Sequence, residues 1–434
     1  MYHVKGSPRT GLAGATIGFF FGFAAVSLFG PTAKTLKDLI QLTPAEVGLL
    51  VAMPSLSGSL LRIPFSAWVD KNGGRKPFLV LFAMAVVGMI GLAFILQTRY
   101  PKDMGHDIYP WLLFFGFLSG SGIATFSVGI SQVSYWFPQK RQGSALGAFA
   151  GFGNLAPGIF SFLIPVFMGS IGLPNTYLAW LVFLIAGMLI YAFLGQNAPY
   201  FQARNQGASP KQAREFARQL YPEEARQQEL FPKGGFVHTL TRSATNGHTW
   251  VLVILYFTTF GGFIALTAWF PTYWQEYHAR SAGIAGLLTA VFSLLASIIR
   301  VPGGSLADRM GGGRTALLSL SVLAAGSAIM VLADSVTAGI LGAILMGGGM
   351  GVNNAAVFKM VPDLVPEAIG GASGWVGGLG AFGGFAIPPV MGKFVEVEGR
   401  AGYAHGFSVF ILLALLAFFC AYMLNRAATA SEEG

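Results

Sequence analysis

The segment SGSLLRIPFSAWVDKNGGRK, residues 57–76, returns in altered form as LASIIRVPGGSLADRMGGGR, residues 295–314. When the two segments are aligned on their prolines, three pairs of residues match: Arg62 with Arg300, Pro64 with Pro302, and Asp70 with Asp308. A second pair of segments also corresponds, AGFGNLAPG (150–158) with GGLGAFGGF (377–385). Two such correspondences, in the same order, predict a chain made of two related halves.

The composition is that of a chain dissolved in lipid. Hydrophobic residues make up 54% of the 434 positions and charged residues only 10%, whereas soluble domains carry about 25% charge. The single cysteine, Cys420, excludes a disulfide framework within the chain and any cysteine metal cluster, and no cofactor is expected. In a membrane protein, the net charge of +9 reflects which loops face the cytoplasm rather than a nucleic-acid partner.

Twelve segments are long and apolar enough to cross a bilayer, which requires roughly 20 residues each. They predict an all-α membrane protein with two six-helix halves, 1–195 and 248–434, joined by a polar cytoplasmic linker, 196–247. A small independent domain is the alternative for the linker. The predicted spans are 11–33, 46–69, 77–97, 109–136, 142–168, 176–195, 248–274, 282–307, 315–334, 336–358, 368–392 and 404–425.

The basic residues predict the orientation. If both termini lie on one side, that side receives 18 of the 27 Lys and Arg residues and the other side receives 7. Because cytoplasmic loops are enriched in Lys and Arg, both termini are expected in the cytoplasm. The two remaining basic residues, Arg62 and Arg300, lie inside spans.

Arg62 and Arg300 are each eight residues from the aspartate that ends their helix, or roughly 12 Å at 1.5 Å per residue. A charge at that depth costs at least about 2.5 kcal/mol, and intramembrane ionisable residues mark functional sites by default. No acidic residue lies at the same depth, since the nearest ones are at helix ends: Asp70, Asp308, Glu46 and Glu367. Two unpaired guanidinium groups predict a bound anion, because their planar fork suits oxyanions.

The segments WVDKNGGRK and LADRMGGGR resemble the loop motif of the major facilitator superfamily, between helices two and three and between helices eight and nine. The resemblance implies a gating role for Asp70 and Arg75 and for Asp308 and Arg314, as charges that clamp neighbouring helices in one state and release them in another. A solvated charge at a helix end, contributing about 1 kcal/mol or less, is the alternative.

Within that superfamily, the chain resembles the nitrate/nitrite porters. The resemblance rests on SLLRIP, SIIRVP, WFPQKRQGSALG (136–147), LYFTTFGGF (255–263) and the glycine-rich segments of the fifth and eleventh helices. It implies a small-anion transporter, not an enzyme, and covers nearly the whole chain. The implied signature glycines are Gly151, Gly153, Gly378 and Gly380, and the implied substrate-binding residues are Arg62, Arg300, Asn154, Tyr256, Phe126 and Phe260.

Several points remain open at the level of sequence. Ala381 replaces Asn154 in the second signature, so the two halves differ at the expected site. The first-helix aromatics Phe19, Phe20, Phe21 and Phe23 are expected to include pore residues. Asn353 and Asn354 either line the pore or bond across helices.

The lack of a titratable group at mid-depth favours nitrate/nitrite antiport over proton symport. The protein is expected in the cytoplasmic membrane, as a monomer. The alternatives are nitrate/proton symport, exchange of another small organic anion, or a nitrate sensor that does not transport. Histidines could titrate, but His248, His278 and His405 lie near the ends of spans. The sequence does not distinguish a respiratory role from nitrate assimilation.

Overall fold

The computed structural model describes residues 2–137, 139–220 and 236–432, and all regular elements in these ranges are helical. Ten stretches in the described part are long and apolar enough to cross a membrane. One of them, Ala145–Leu194, contains two helices, because the backbone turns at Gly172 with a φ of +79° that favours glycine. A further helix is interrupted at residues 380–382 and brings the number of spanning helices to twelve. The predicted fold class is therefore confirmed.

The six helices of the first half run in chain order, several of them in two pieces. They are helix 1 (Pro8–Phe23), helix 2 (Pro44–Leu60 and Arg62–Asn72), helix 3 (Arg75–Arg99), helix 4 (Tyr109–Gly120 and Thr125–Ser134), helix 5 (Gln139–Gly153, continuing from Ala156 to the turn at Gly172) and helix 6 (from that turn to Leu194). Short 3₁₀ turns at Ala24–Ser27 and Gly30–Thr32 and a helix at Ala33–Ile40 follow helix 1.

The second half repeats this order. Its helices are helix 7 (Gly247–Tyr256 and Gly262–Glu276), helix 8 (Ala282–Ile298 and Arg300–Met310), helix 9 (Gly312–Val331), helix 10 (Val336–Leu364), helix 11 (Ile369–Leu379 and Gly383–Glu398) and helix 12 (Ser408–Glu432). The two pieces of helix 7 are joined by a π-helical turn at Phe257–Gly261. Such turns occur mostly inside α-helices and frequently at functional sites.

The first part of the linker folds back onto the first half. Helices Pro199–Asn205 and Pro210–Leu220 enclose a small second core that includes Trp136 and Phe201. The Gln202 amide donates to the carbonyl of Lys5 at 2.8 Å and accepts from its N–H at 2.9 Å, which ties the N-terminal segment to the linker. Residues 221–235 of the expected linker lie outside the described residues.

The face at which helix 1 begins and helix 12 ends is here called the terminal face. On the other side, the opposite face, the two halves are packed backbone to backbone. A Cβ added to Gly48 of helix 2 would come within 2.5 Å of the Pro388 carbonyl oxygen in helix 11. A Cβ added to Gly286 of helix 8 would come within 2.3 Å of the Ser161 carbonyl oxygen in helix 5. Small residues allow this approach, and the opposite face is closed.

Candidate functional site

Helices 2 and 8 both break immediately before an arginine. Pro64 and Pro302 have no N–H, so the carbonyls of the residues four positions earlier lose their helical partner. In each case the helix is interrupted at a single residue and then resumes, with Arg62 or Arg300 as the first residue of the new segment. The paired prolines thus place a guanidinium at a kink in the middle of each half.

The structure brings the two arginines onto one aromatic ring. The Arg62 guanidinium carbon lies 5.3 Å from the centre of the Phe260 ring, and that of Arg300 lies 5.0 Å from the same centre. Arg62 also lies 4.9 Å from the Phe126 ring. Cation–π contacts at these distances offset part of the cost of burying a charge. Residues from helices 2, 4, 7 and 8 therefore meet at one place.

Arg62 is only 1% exposed, yet two of its guanidinium nitrogens have no hydrogen-bond partner. Its Nη1 donates to the carbonyl oxygen of Gly377 in helix 11 at 2.7 Å. Arg300 is half-buried. Among the described residues, no carboxylate lies within ion-pair distance of either arginine. Buried donors without a partner are costly, so this arrangement is suited to a bound anion.

Tyr256 completes the aromatic side of the site. Its ring stacks on Phe260 with centroids 4.7 Å apart, and its hydroxyl, fully buried, makes no hydrogen bond of normal geometry. The guanidinium groups of Arg300 and Arg62 both lie near this hydroxyl and interact with it electrostatically. It is therefore a neutral donor next to two cationic ones.

A polar network supports the π-helical turn that presents Phe260. Thr259 in that turn donates to the Asn354 side-chain oxygen at 2.9 Å and accepts from the Asn353 amide at 3.1 Å. Ser319 of helix 9 donates to Asn353 at 3.3 Å. The two asparagines therefore bond across helices 7, 9 and 10, one of the two roles that the sequence left open.

The signature glycines make room for residues of the site. A Cβ on Gly153 would lie 1.9 Å from the Phe19 ring, and one on Gly380 would lie 2.7 Å from the Tyr256 ring. A Cβ added to Gly378 would lie 3.0 Å from the side chain of Ile63, the residue that follows Arg62 in helix 2. Gly151 has nothing within 4 Å of such a Cβ, so packing in this conformation does not explain it.

Asn154 lies where helix 5 breaks, at a position corresponding to the break in helix 11. It is fully buried, and neither its side-chain oxygen nor its amide nitrogen has a hydrogen-bond partner. Its backbone carbonyl accepts a 3.0 Å bond from Ser297, one helical turn before Arg300. An amide whose hydrogen bonds are all unmade is a place for a ligand or a water molecule.

Helix 1 contributes an aromatic that the sequence did not single out from its neighbours. The Phe19 ring lies 5.1 Å from Phe126 and 5.0 Å from Phe149, and Phe23 lies 6.3 Å from Phe260. Phe21 instead stacks on Phe183, 4.1 Å away in helix 6. The four-residue spacing of Phe19 and Phe23 on one helix face was the signal that could have separated them.

The residues of the expected gating motif are placed apart from the arginine site. Asp70 accepts a 2.6 Å hydrogen bond from the Tyr135 hydroxyl, and Asp308 lies 3.3 Å from the Lys359 ammonium. Arg75 donates to the Ala192 carbonyl at 2.6 Å and so ties the start of helix 3 to helix 6. Arg314 is exposed at the start of helix 9.

An ion cluster that sequence reasoning missed closes the opposite face. Glu276, at the end of helix 7, pairs with Lys37 at 2.8 Å and also with Lys34, both from the segment after helix 1. The carboxylate is only 15% exposed. The cluster joins the two halves, since the lysines belong to one half and the glutamate to the other. Nothing in the sequence links positions so far apart.

Comparison with known proteins gives a consistent picture. The sequence profile of the Major Facilitator Superfamily matches residues 15–283 and 276–433. Similar curated proteins are "Probable nitrate/nitrite antiporter NarK1" of Thermus thermophilus, 29% identical over 93% of this chain and 88% of that protein, and "Nitrite extrusion protein" of Bacillus subtilis, 27% identical over 92% and 89%. "Probable nitrate transporter NarT" of Staphylococcus epidermidis is 25% identical over 92% of this chain and 93% of its own length. These relatives confirm the resemblance seen in the sequence motifs.

The solved structures add support for the fold. The xylose transporter XylE of E. coli, in a partially occluded inward-open conformation, superposes with a TM-score of 0.73 over 96% of this chain and 99% of that chain, at 14% identity. A D-xylose-proton symporter gives 0.70 over 94% and 97%, at 12% identity. At this level of identity the likeness concerns the fold alone.

Proposed function

Because the chain belongs to the Major Facilitator Superfamily, we propose that it carries nitrate and nitrite across the membrane by alternating access, as an exchanger. The observation that carries this proposal is the pair of arginines, one from each half, that share the Phe260 ring without a carboxylate partner in the described structure. Residues from both halves must meet for a substrate to be passed between them. As a member of a transporter superfamily, the protein is a transporter and not an enzyme.

The site suits a small planar oxyanion. Nitrate presents coplanar oxygens to which Arg62 and Arg300 can donate in the plane, and each bond is strengthened by charge. Tyr256 and Asn154 add neutral donors, while Phe126 and Phe260 offer ring faces on which the anion can rest. Nitrite has the same charge and a similar size, so we expect only modest discrimination between the two ions.

Exchange fits the distribution of titratable groups. Proton coupling usually relies on a buried Asp, Glu or His that changes charge, but the acidic residues in the described membrane-spanning helices lie near helix ends. Burial, together with nearby Arg280 and Arg400, lowers the pKa of His278, which leaves this histidine neutral near pH 7. In the empty site, the two uncompensated arginines repel each other. A bound monovalent anion reduces that repulsion each time the protein switches between its inward-facing and outward-facing conformations.

We place the protein in the cytoplasmic (inner) membrane with both termini in the cytoplasm, as the distribution of Lys and Arg residues favours. The terminal face is then cytoplasmic and the closed opposite face is the outer one. Both arginines come from the same chain, so a monomer holds the complete site. The two six-helix halves, 1–195 and 248–434, move against each other, and the linker 196–247 stays in the cytoplasm.

The gating motif acts at the cytoplasmic ends of these halves. Asp70, bonded to Tyr135, holds helix 2 to the end of helix 4, and Asp308 holds helix 8 to helix 10 through Lys359. In this proposal Arg75 and Arg314 form new contacts with neighbouring helices when the cytoplasmic face closes, and they release them when it opens.

The test is nitrate uptake into proteoliposomes that are either empty or loaded with nitrite, with and without an inward proton gradient. We expect uptake that requires internal nitrite and does not respond to the proton gradient. Uptake into empty vesicles driven by protons would replace exchange with symport. Uptake of a small carboxylate in preference to nitrate would change the substrate, and binding of nitrate without any uptake would make the protein a sensor.

A further inference from the structure

Each arginine stands at the end of a row of serines on the same helix face. The same pattern occurs in both halves: Ser55, Ser59 and Arg62 in helix 2, and Ser293, Ser297 and Arg300 in helix 8. Spacings of four and three residues place the three side chains of each set on one face of the helix. The repeat of the two halves therefore extends beyond the arginine and proline to a serine-lined face.

One hydrogen bond of these serines recurs in both halves, and Ser297 in addition reaches the Asn154 carbonyl across the interface. Ser59 donates to the carbonyl of Ser55 at 2.7 Å, and Ser297 donates to the carbonyl of Ser293 at 2.8 Å. The hydroxyls of Ser55 and Ser293 have no partner, although these residues are only 2% and 0% exposed. Leaving a buried hydroxyl unbonded costs about 1–3 kcal/mol. Because this unfavourable free energy occurs at equivalent positions in both halves, it points to a function for the two hydroxyls.

Both unbonded serines lie at contacts between the halves, on the outer side of the arginines. Helices 2 and 8 begin at the outer face, so Ser55 and Ser293 are seven residues, or roughly 10 Å, nearer to that face than the arginines. A Cβ added to Gly384 of helix 11 would lie 3.2 Å from the Ser55 Cβ, and one added to Gly158 of helix 5 would lie 3.2 Å from that of Ser293. Glycine offers no side chain that could bond either hydroxyl.

We propose that Ser55 and Ser293 form an outer contact site for the transported oxyanion, used when the outer face is open. The proposal rests on the function proposed above. Opening the outer face must separate helix 2 from helix 11 and helix 8 from helix 5, which uncovers both hydroxyls on the walls of the outer entrance. There each hydroxyl donates one neutral hydrogen bond to the arriving nitrate or nitrite.

The chemistry suits a site of passage. A hydroxyl holds an anion less tightly than a guanidinium, and conduction along a path needs binding that is strong enough for entry and weak enough for release. The order along each helix, from the unbonded serine to the arginine, leads from a weaker donor to a stronger one.

The experiment measures the KM for nitrate separately at the two faces, in proteoliposomes sorted by orientation, for Ser55→Ala, Ser293→Ala and the double variant. We expect the outer KM to rise about threefold to tenfold for each single variant, as loss of one hydrogen bond predicts, with the cytoplasmic KM unchanged. Thermal stability should be kept, since neither hydroxyl has a hydrogen-bond partner to lose. Ser327→Ala is the matched control, because that buried serine of helix 9 already donates to Leu323 at 2.8 Å.

Two results would overturn the outer site while leaving the proposed function intact. One is an unchanged outer KM in the double variant. The other is a reciprocal change, with the outer KM raised and the cytoplasmic KM lowered, because this would mean that the serines only bias the equilibrium between the two conformations. Wild-type protein that exchanges no nitrate would overturn both proposals, and it is measured first.

Discussion

Arg62 of the first half donates a 2.7 Å hydrogen bond to the backbone carbonyl of Gly377 in the second half. The bond crosses the interface between the halves at the glycine-rich segment of helix 11, directly before the signature glycine Gly378. It holds one guanidinium nitrogen and leaves Nε and Nη2 free to bind an anion. Arg62, the proposed substrate ligand, therefore also contacts the opposite half directly, so its position depends on how the two halves are arranged.

The first prediction concerns whether nitrate exchange requires the planar guanidinium groups of Arg62 and Arg300. We expect Arg62→Lys and Arg300→Lys each to reduce nitrate exchange to background while the protein stays folded, because an ammonium cannot reproduce the planar fork or its stacking on Phe260. Exchange is measured in proteoliposomes and folding by size-exclusion chromatography. Arg99→Lys, at an exposed position at the end of helix 3, is the control. Normal exchange by either site variant would remove that arginine from the site.

Substitutions of Asn154 test whether its unbonded side-chain amide donates a hydrogen bond to the substrate. We expect Asn154→Ala to raise the KM for nitrate about tenfold or more, since hydrogen bonds to charged groups contribute about 1.5–3 kcal/mol. Asn154→Asp should be worse than Asn154→Ala, because its negative charge repels an anion. Stability of the alanine variant should not fall, given that the side chain has no partner to lose. A KM unchanged in both variants would mean that this amide faces only water.

Two signature glycines only two residues apart should respond differently to the same change. Gly153→Ala places a methyl group 1.9 Å from the Phe19 ring, so we expect it to disrupt the aromatic cluster and abolish exchange. Gly151→Ala meets nothing within 4 Å and should fold normally in this conformation. Thermal unfolding and exchange are compared for the pair. Equal loss of stability in both variants would contradict this explanation.

The network around the π-helical turn positions Tyr256 and Phe260. We expect Thr259→Val to lower exchange and to destabilise the protein by about 1–3 kcal/mol, since it leaves the buried Asn353 and Asn354 with lost hydrogen bonds. Thr259→Ser should restore function. Thr258→Val is the control in the same turn, because that hydroxyl bonds only to Ile254 of its own helix. If the two valine variants behave alike, the cross-helix network has no special role.

The ion cluster on the opposite face, which is the outer face in the proposed orientation, should control which face is open. Glu276→Gln removes the charge that holds Lys34 and Lys37 across the halves, and we expect it to shift the protein towards the outward-facing state. The readout is labelling of an engineered cysteine on the outer entrance after replacement of Cys420. Glu396→Gln, in an exposed pair with Lys393 within helix 11, is the control. Unchanged labelling would show that the backbone contacts alone keep this face closed.

The sequence alone determined the fold class and singled out the two arginines on which the proposed site rests. In a bilayer every backbone polar group must be bonded within its own helix, so apolar length and charge are enough to place twelve helices. Arg62 and Arg300 are conspicuous in such a sequence, because a charge in a membrane-spanning helix is energetically costly. The repeat of the two halves then predicted that both arginines face one site.

Only the tertiary structure decided which groups meet. Periodicity gives the face of a helix but not the residue that lies against it, and the decisive contacts join positions far apart in the chain. Phe260 beneath both arginines, the Gly377 carbonyl on Arg62 and the Lys37–Glu276 pair are contacts of this kind. The unbonded hydroxyls of Ser55 and Ser293 are another, because whether a buried donor has a partner depends on how closely the two halves are packed.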